Sequence, residues 1–253
     1  MPEVQAGERL PLVVLLHGLG ATGEQTVQQL DVVAFAQQKR FVYVAPDGMQ
    51  DPTGRRFWNA GPACCDFFGT GVDDSARLRE LIAHAVKQLP VDGRRVYVVG
   101  YSNGGFMAHQ LACTHSEHVA AIVSIAGSGP VPQAQCEPRD PVAVLEIHGD
   151  RDPIVPMKGG HLFGRSELPK IAGLRDSLQP WTEHNGCSSE VRSSDKLDLV
   201  PDVGGKETER AAFRDCNKAP VELWTVQGGA HYLALHSEAL GHIWGFLAAQ
   251  AKK

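Results

Sequence analysis

A serine between glycines is the residue of this chain best placed for covalent chemistry. Residues 100–104 read Gly-Tyr-Ser-Asn-Gly, with Ser102 at the centre. They follow a β-branched run at 95–99, which predicts a buried strand, and precede residues 105–113, whose apolar positions have helical spacing. A Gly-x-Ser-x-Gly turn between a strand and a helix is typical of a nucleophile elbow, which exposes the serine at its tip. Ser102 is therefore the predicted nucleophile, with a plain glycine-rich turn as the alternative.

A serine nucleophile needs a general base, and the base needs an acid that orients it. Behind a turn of this kind, the acid and then the base follow on loops after later strands. The predicted strand at 142–148 is followed by Asp150 and Asp152, and the one at 221–226 is followed by His231. His231 is the predicted base, although a lone histidine is more often structural. Either aspartate fits the acid, and either could instead be a turn residue that bonds its own backbone.

An oxyanion formed at Ser102 would need two backbone amides to stabilise it. Asn103, directly after the serine, is the predicted first donor. Residues 17–20 read His-Gly-Leu-Gly and follow the first predicted strand, where glycine lets the backbone approach a substrate. Leu19 is the predicted second donor, with Gly18 as the alternative. The same glycines would equally serve an ordinary strand-to-helix turn.

The elements that must position these residues alternate between strand and helix patterns. This order predicts a doubly wound α/β fold with a mostly parallel sheet and helices on both faces. The predicted strands are residues 12–16, 41–45, 95–99, 119–126, 142–148 and 221–226, and the predicted helices are residues 25–38, 73–89, 105–113, 168–184 and 233–249. Two stretches are expected to be irregular, a long loop at 46–71 and a polar excursion at 188–216.

Composition narrows the class of protein. The chain has 253 residues, of which 43% are hydrophobic, enough for one large core, so we predict a single domain over residues 1–253. A net charge of -5 without a basic stripe argues against a nucleic-acid partner. The longest apolar run, residues 10–16, is too short to cross a bilayer, and residues 1–5 do not resemble a signal peptide. The oligomeric state stays open.

Six cysteines form an even set, Cys64, Cys65, Cys113, Cys136, Cys187 and Cys216. In an exported protein such a set predicts disulfides, and in the cytosol it predicts ordinary buried thiols. A bridge between Cys187 and Cys216 would fasten the polar excursion that they flank, whereas the other pairings stay open. Neither the cysteines nor the histidines have zinc-site spacing, so we predict no metal and no cofactor.

The long loop at 46–71 is the predicted substrate-contact segment. It carries the rings of Phe57, Trp58, Phe67 and Phe68, and α/β folds bind ligands near the carboxyl ends of their strands. Trp58 and His17, which lies on the neighbouring loop, are the predicted substrate-binding residues. The alternative is that these rings hold the loop against the core, because aromatic side chains are usually buried.

An ordered set of motifs resembles the poly(3-hydroxybutyrate) depolymerase and feruloyl esterase group of the α/β-hydrolase superfamily. The motifs are Leu15-Leu16-His17-Gly18, Trp58-Asn59-Ala60-Gly61 with Cys64-Cys65, Val72-Asp73-Asp74, Gly100-Tyr101-Ser102-Asn103-Gly104-Gly105, His148-Gly149-Asp150-Arg151-Asp152 and Gly228-Gly229-Ala230-His231. The resemblance covers the chain from residue 12 to about residue 231. It implies Ser102 as nucleophile, Asp152 as acid and His231 as base.

The resemblance carries three further expectations. The predicted activity is hydrolysis of a carboxylic ester of the feruloyl or polyhydroxyalkanoate type, with a peptidase of the same fold or a non-catalytic binding module as alternatives. Because similar enzymes are commonly exported, the predicted location is secreted or periplasmic. Such proteins usually have one or two strands before the strand that leads into His17-Gly18, but few residues precede it here, so these N-terminal strands are expected to be missing.

Overall fold

An eight-stranded sheet forms the centre of the computed structural model, which describes residues 2–129 and 136–253. The strands are β1 (Leu10–Leu16), β2 (Val42–Val44), β3 (Met49–Gln50), β4 (Arg56–Phe57), β5 (Val91–Tyr101), β6 (Ala121–Ile125), β7 (Ala143–Gly149), β8 (Gly160–His161), β9 (Lys170–Ile171), β10 (Val191–Leu197), β11 (Thr208–Phe213) and β12 (Val221–Val226). The sheet order is β10-β11-β12-β7-β6-β5-β1-β2, and the small hairpins β3-β4 and β8-β9 lie outside it. The six strands from β12 to β2 run parallel, which confirms the predicted mostly parallel sheet.

Helices cover both faces of this sheet. They are α1 (Gly23–Gln29), α2 (Val32–Lys39), α3 (Asp74–Gln88), α4 (Asn103–Thr114), α5 (Leu174–Asn185) and α6 (Ser237–Ala248). Alternate side chains of a strand face opposite ways, so β1 contributes Val14 to a core with α3, α4 and α5, and Val13 to a second core with α2 and α6. The predicted doubly wound arrangement is therefore correct. No helix in the described residues is long and apolar enough to cross a membrane.

The parallel strands place their carboxyl ends at one edge of the sheet. Leu16 at the end of β1 lies opposite Gly100 near the end of β5, and Gly149 at the end of β7 lies opposite Val226 at the end of β12. The loops that follow these strands therefore emerge side by side. They carry every residue that the sequence predicts for catalysis.

Three helices differ from their predicted bounds, and one of them, α6, begins at Ser237 rather than residue 233, with His236 as its N-cap. The predicted helix at 25–38 is two helices, α1 and α2, separated at Asp31, whose φ of 44° lies in the left-handed region. Helix α5 begins at Leu174 rather than near residue 168, because the preceding residues form the β8-β9 hairpin and Gly173 is the N-cap. In contrast, α3 begins as predicted, where the side chain of Asp73 accepts a hydrogen bond from the Ala76 amide.

The polar excursion at 188–216 is largely regular structure, contrary to the prediction. Strands β10 and β11 form an antiparallel hairpin, and β11 pairs antiparallel with β12, so the hairpin extends the sheet. Most side chains of β10 are exposed, because it is an edge strand with no apolar face to bury, which explains why no strand pattern was visible. The other edge is β2, and β1 is the first strand of the described residues. The expected absence of earlier strands stays a prediction.

The six cysteines form three disulfides. Cys187 is bonded to Cys216 across the base of the β10-β11 hairpin, as predicted. The remaining bridges, whose pairing the sequence left open, join Cys64 to Cys65 and Cys113 to Cys136.

Candidate active site

Ser102 stands on a sharp turn between β5 and α4. Its φ of 51° and ψ of -116° are unusual for a residue with a side chain, and such backbone strain clusters at functional sites. A Cβ atom on Gly100 would overlap the carbonyl oxygen of Gly104, and one on Gly104 would overlap that of Leu16. Only glycine fits at these two positions, so the turn has the geometry of the predicted elbow.

A continuous hydrogen-bond relay leads away from Ser102. The distance from Ser102 Oγ to His231 Nε2 is 2.9 Å, and that from His231 Nδ1 to Asp152 Oδ2 is 2.7 Å. A carboxylate only accepts hydrogen bonds, so Nδ1 carries the proton and Nε2 is free to accept one from the serine. The other carboxylate oxygen, Oδ1, accepts from the Ile154 and Val155 amides at 2.7 and 2.9 Å. The structure thus brings the three predicted residues together in the order that nucleophilic catalysis needs.

The two candidate acids have different surroundings. Burial alone would raise the pKa of Asp152, but hydrogen bonds from His148, His231 and the Val155 amide outweigh it and hold that pKa far below its usual value. Asp150 is exposed, and its Oδ1 accepts a hydrogen bond from the Gly228 amide at 2.7 Å. Asp150 therefore ties the loop of His231 to the loop after β7, and Asp152 contacts the imidazole.

Tyr101 fixes the backbone that carries His231. Its hydroxyl donates to the carbonyl oxygen of His231 at 2.6 Å and accepts from the Leu233 amide at 2.9 Å. Burial raises the pKa of Tyr101, so the hydroxyl keeps the proton that it donates. The sequence analysis did not identify this residue; its position beside Ser102 at the end of a strand was the available signal.

The two predicted oxyanion donors lie on either side of the turn. Asn103 is the first residue of α4, where helix amides lack intrahelical acceptors. The loop of Leu19 lies against the serine, because a Cβ placed on Gly18 would stand 3.6 Å from Cβ of Ser102. Among residues 2–129 and 136–253, the Leu19 amide has no hydrogen-bond acceptor. Both amides are therefore available to a substrate oxygen.

Trp58 does not contact the cleft, which corrects the prediction that its side chain binds substrate. The residue is only 2% exposed. Its backbone amide and carbonyl bond the side chain of Asn103 at 2.8 and 2.9 Å, and its indole Nε1–H donates to the carbonyl oxygen of His17 at 3.1 Å. Trp58 therefore joins the two loops that carry the oxyanion donors, in line with the alternative that the ring belongs to the core.

His17 is likewise buried, so its side chain is also not a substrate contact in this structure. Its Nε2 accepts from the Gly48 amide at 2.9 Å, and its Nδ1 lies 2.8 Å from the carbonyl oxygen of Gly18. Burial lowers the pKa of His17, in keeping with the neutral ring that these bonds require. The ring braces the loop that leads to Leu19.

A cleft of about 340 Å³ opens directly over Ser102 and His231. Its lining includes apolar and aromatic side chains, those of Leu19, Ile154, Phe163 and Tyr232, and polar ones, those of Thr26, Gln29 and Arg55. Phe163 and Tyr232 are 43% and 68% exposed, unusual for large apolar side chains. Sequence analysis missed both, because they lie outside the predicted loop at 46–71.

Relatives of this chain include feruloyl esterases. Feruloyl esterase B of Piromyces equi is 26% identical over 226 residues, which cover 87% of this chain and 39% of that protein. Feruloyl esterase D of Neurospora crassa is 26% identical over 232 residues, covering 87% of this chain and 67% of that one. A Nocardia uniformis relative is 26% identical over 231 residues, and the chain spans 65% of its length. The chain is thus shorter than these relatives.

Solved structures share the fold. Acetyl xylan esterase from Aspergillus awamori superposes with a TM-score of 0.68 at 14% identity, covering 97% of this chain and 92% of that one. Esterase PE8 gives a TM-score of 0.58 at 20% identity, covering 98% and 95%. The sequence profile of the phospholipase/carboxylesterase family matches residues 2–196. With an α/β-hydrolase sheet and a family match over most of its length, the chain belongs to the phospholipase/carboxylesterase family.

Proposed function

We propose that this protein is a serine hydrolase of carboxylic esters, with Ser102 as nucleophile, His231 as general base and Asp152 as the orienting acid. The observation that carries the proposal is the relay of 2.9 and 2.7 Å from Ser102 through His231 to Asp152 at the floor of an open cleft. Membership of the phospholipase/carboxylesterase family supports it.

The geometry supports a two-step reaction through an acyl-enzyme. His231 takes the Ser102 proton while the serine oxygen attacks the ester carbonyl, and the amides of Asn103 and Leu19 stabilise the oxyanion. His231 then protonates the leaving alcohol, and the acyl group stays on Ser102. Water then attacks the acyl group while giving a proton to His231, and His231 returns that proton to the Ser102 oxygen as the acid is released. The Asp152 carboxylate stays ionised and stabilises the imidazolium that forms in each step.

The cleft favours a neutral ester with a flat or apolar acyl group. Phe163 and Tyr232 can lie against an aromatic ring, and Thr26, Gln29 and Arg55 supply hydrogen-bond partners for a polar alcohol. A feruloyl-type ester can use both the aromatic and the polar lining side chains, and the names of the relatives support it. A polyhydroxyalkanoate-type ester would use the apolar lining alone and is the second candidate. The three disulfides support a secreted or periplasmic location.

The first experiment is Ser102→Ala. Because the hydroxyl contributes little packing, we expect an intact fold and a fall in kcat for p-nitrophenyl butyrate of several orders of magnitude. Circular dichroism and the melting temperature check the fold. A folded variant that kept most of the wild-type turnover would overturn the proposal.

The second experiment removes exposed aromatic rings inside and outside the cleft and compares the effect on kcat/KM. We expect Phe163→Ala and Tyr232→Ala to lower kcat/KM for methyl ferulate by about two- to tenfold, since a stacked aromatic contact is worth roughly 0.5–1.5 kcal/mol. The acetyl group of p-nitrophenyl acetate is too small to use these contacts fully, so kcat/KM for this ester should fall less. Phe68→Ala is the matched control, because that ring is 49% exposed and does not line the cleft. Equal changes of kcat/KM for methyl ferulate in all three variants would exclude Phe163 and Tyr232 as substrate contacts.

A further inference from the structure

A chain of buried polar side chains continues behind Asp152, away from the substrate. It runs from Trp181 on α5 through His109 on α4 to Glu146 and His148 on β7, and the solvent exposure of all four residues is 0%. Trp181 Nε1 lies 3.0 Å from His109 Nδ1, and His109 Nε2 lies 3.1 Å from Glu146 Oε2. His148 Nδ1 is 3.4 Å from Glu146 Oε1, and His148 Nε2 is 3.2 Å from Asp152 Oδ2. None of these four residues takes part in the reaction described above.

The hydrogen-bond partners of His109 fix which of its two ring nitrogens carries the proton. The indole N–H of Trp181 only donates, so His109 Nδ1 accepts and carries no proton. His109 Nε2 then holds the hydrogen that is donated to Glu146. His109 is therefore a neutral donor, and it contributes no net charge to the cluster.

The same reasoning makes His148 a cation. Its Nε2 faces the carbonyl oxygen of Val155 at 2.8 Å as well as Asp152, and its Nδ1 faces Glu146, so both nitrogens point at acceptors. Burial alone would lower the pKa of His148, but its bonds to Asp152 and Glu146 raise it to about 9. Burial would likewise raise the pKa of Glu146, yet hydrogen bonds from His109 and His148 hold it below its usual value.

The charges therefore alternate along the chain, negative on Glu146, positive on His148 and negative on Asp152. The groups that face this series are accounted for: His109 on α4 is neutral, the Tyr101 hydroxyl near Asp152 stays protonated, and His231 is the base itself. Asp152 Oδ2 is shared between His148 and His231, and Oδ1 takes two backbone amides, so the carboxylate has four donors. Its position is fixed from both sides.

We infer that Glu146 and His148 are positioning residues of the hydrolytic site, an internal ion pair that orients the Asp152 carboxylate and limits how strongly it stabilises the imidazolium form of His231. The inference rests on the proposed triad. A cation beside the same carboxylate oxygen opposes a positive charge on His231, so the imidazolium form is stabilised less than it would be by Asp152 alone. Glu146 holds the proton on His148 and thereby keeps that cation in place.

The charge of His148 is measurable in the unmodified protein, without reference to activity. We expect ¹⁵N NMR of the imidazole rings to show both nitrogens of His148 protonated at pH 8. In Glu146→Gln, which keeps the size of the side chain and removes its charge, the same signals should report a neutral ring at pH 8. A neutral His148 in the wild-type protein, or an unchanged titration in Glu146→Gln, would overturn the inference.

The catalytic consequence is tested by the pH profile of kcat/KM. We expect His148→Gln to move the acid limb to higher pH by about one unit, because the cation that disfavours the protonated base is gone. His109→Gln is the matched control, since His109 is equally buried in the same chain but neutral, and its acid limb should stay at the wild-type pH. If the acid limb moves equally in both variants, or moves in neither, the pair of Glu146 and His148 has only a structural role. If Ser102→Ala stays active, the proposed function fails, whereas the NMR result still stands.

Discussion

Asp150 and Asp152 are two residues apart on one loop, yet only Asp152 faces His231. The reason is local backbone geometry, because the amides of Ile154 and Val155 turn back onto Asp152 and point its second oxygen at the imidazole. Asp150 points the other way, to the Gly228 amide. Sequence alone left the two aspartates as alternatives, and the resemblance to a known group was part of what favoured Asp152.

These surroundings predict different outcomes for matched substitutions. Asp152→Asn should lower kcat by about 10³- to 10⁴-fold, because an amide cannot stabilise the imidazolium and favours the wrong tautomer. Asp150→Asn keeps an oxygen that can accept from the Gly228 amide, so we expect a loss of less than about tenfold. The two values are compared with p-nitrophenyl butyrate at pH 8. The opposite ranking would assign the acid to Asp150.

At the scale of elements, the segment from β3 to β4 and the residues after it link the two sides of the oxyanion site. Trp58 follows β4 directly, and its polar groups bond the side chain of Asn103 and the backbone of His17. The strands β1 and β5 and the glycine turn at Ser102 could be predicted from the sequence, because buried strands and such turns have strong local patterns. It could not tell a buried ring from an exposed one, because that depends on contacts between segments far apart in the chain.

Substitution of Trp58 by phenylalanine tests this linking role. Trp58→Phe keeps a large ring but removes the Nε1–H donor, leaving the carbonyl oxygen of His17 without that partner. We expect the free energy of unfolding to fall by about 1–3 kcal/mol, as measured by urea denaturation. kcat/KM should fall by a similar factor for p-nitrophenyl acetate and methyl ferulate, because the oxyanion site serves every ester. A loss confined to methyl ferulate would instead restore Trp58 as a substrate contact.

At the scale of the whole molecule, the parallel part of the sheet was predictable and its antiparallel extension was not. Strand β1 is buried along its whole length and appears in the sequence as an apolar run, and β7 is equally buried, although Glu146 and His148 interrupt its apolar pattern. The edge hairpin of β10 and β11 lacks that signal, because its side chains are mostly polar or half-exposed. Its position was indicated only by the two cysteines at its base.

The hairpin therefore depends on the bridge between Cys187 and Cys216 more than on a core of its own. The two cysteines are 29 positions apart, and a closed loop of this size corresponds to about 3–4 kcal/mol of unfolding free energy. We expect the double variant Cys187→Ser/Cys216→Ser to lose stability on this scale in urea denaturation. Limited proteolysis should cut first within the hairpin, since local opening requires little apolar surface to be exposed. Ester hydrolysis at 25 °C should stay close to wild type, because every triad residue lies outside the hairpin.

The bridge between Cys113 and Cys136 provides the control for this prediction. It closes a loop of similar length, with a separation of 23, so Cys113→Ser/Cys136→Ser should lower the unfolding free energy by a comparable amount, about 3–4 kcal/mol. It lies at the end of α4, far along the chain from the hairpin, so the first proteolytic cut should not move into β10 or β11. Mass spectrometry of the early fragments distinguishes the two variants. If the hairpin resists proteolysis in both, pairing of β11 with β12 is sufficient to hold it.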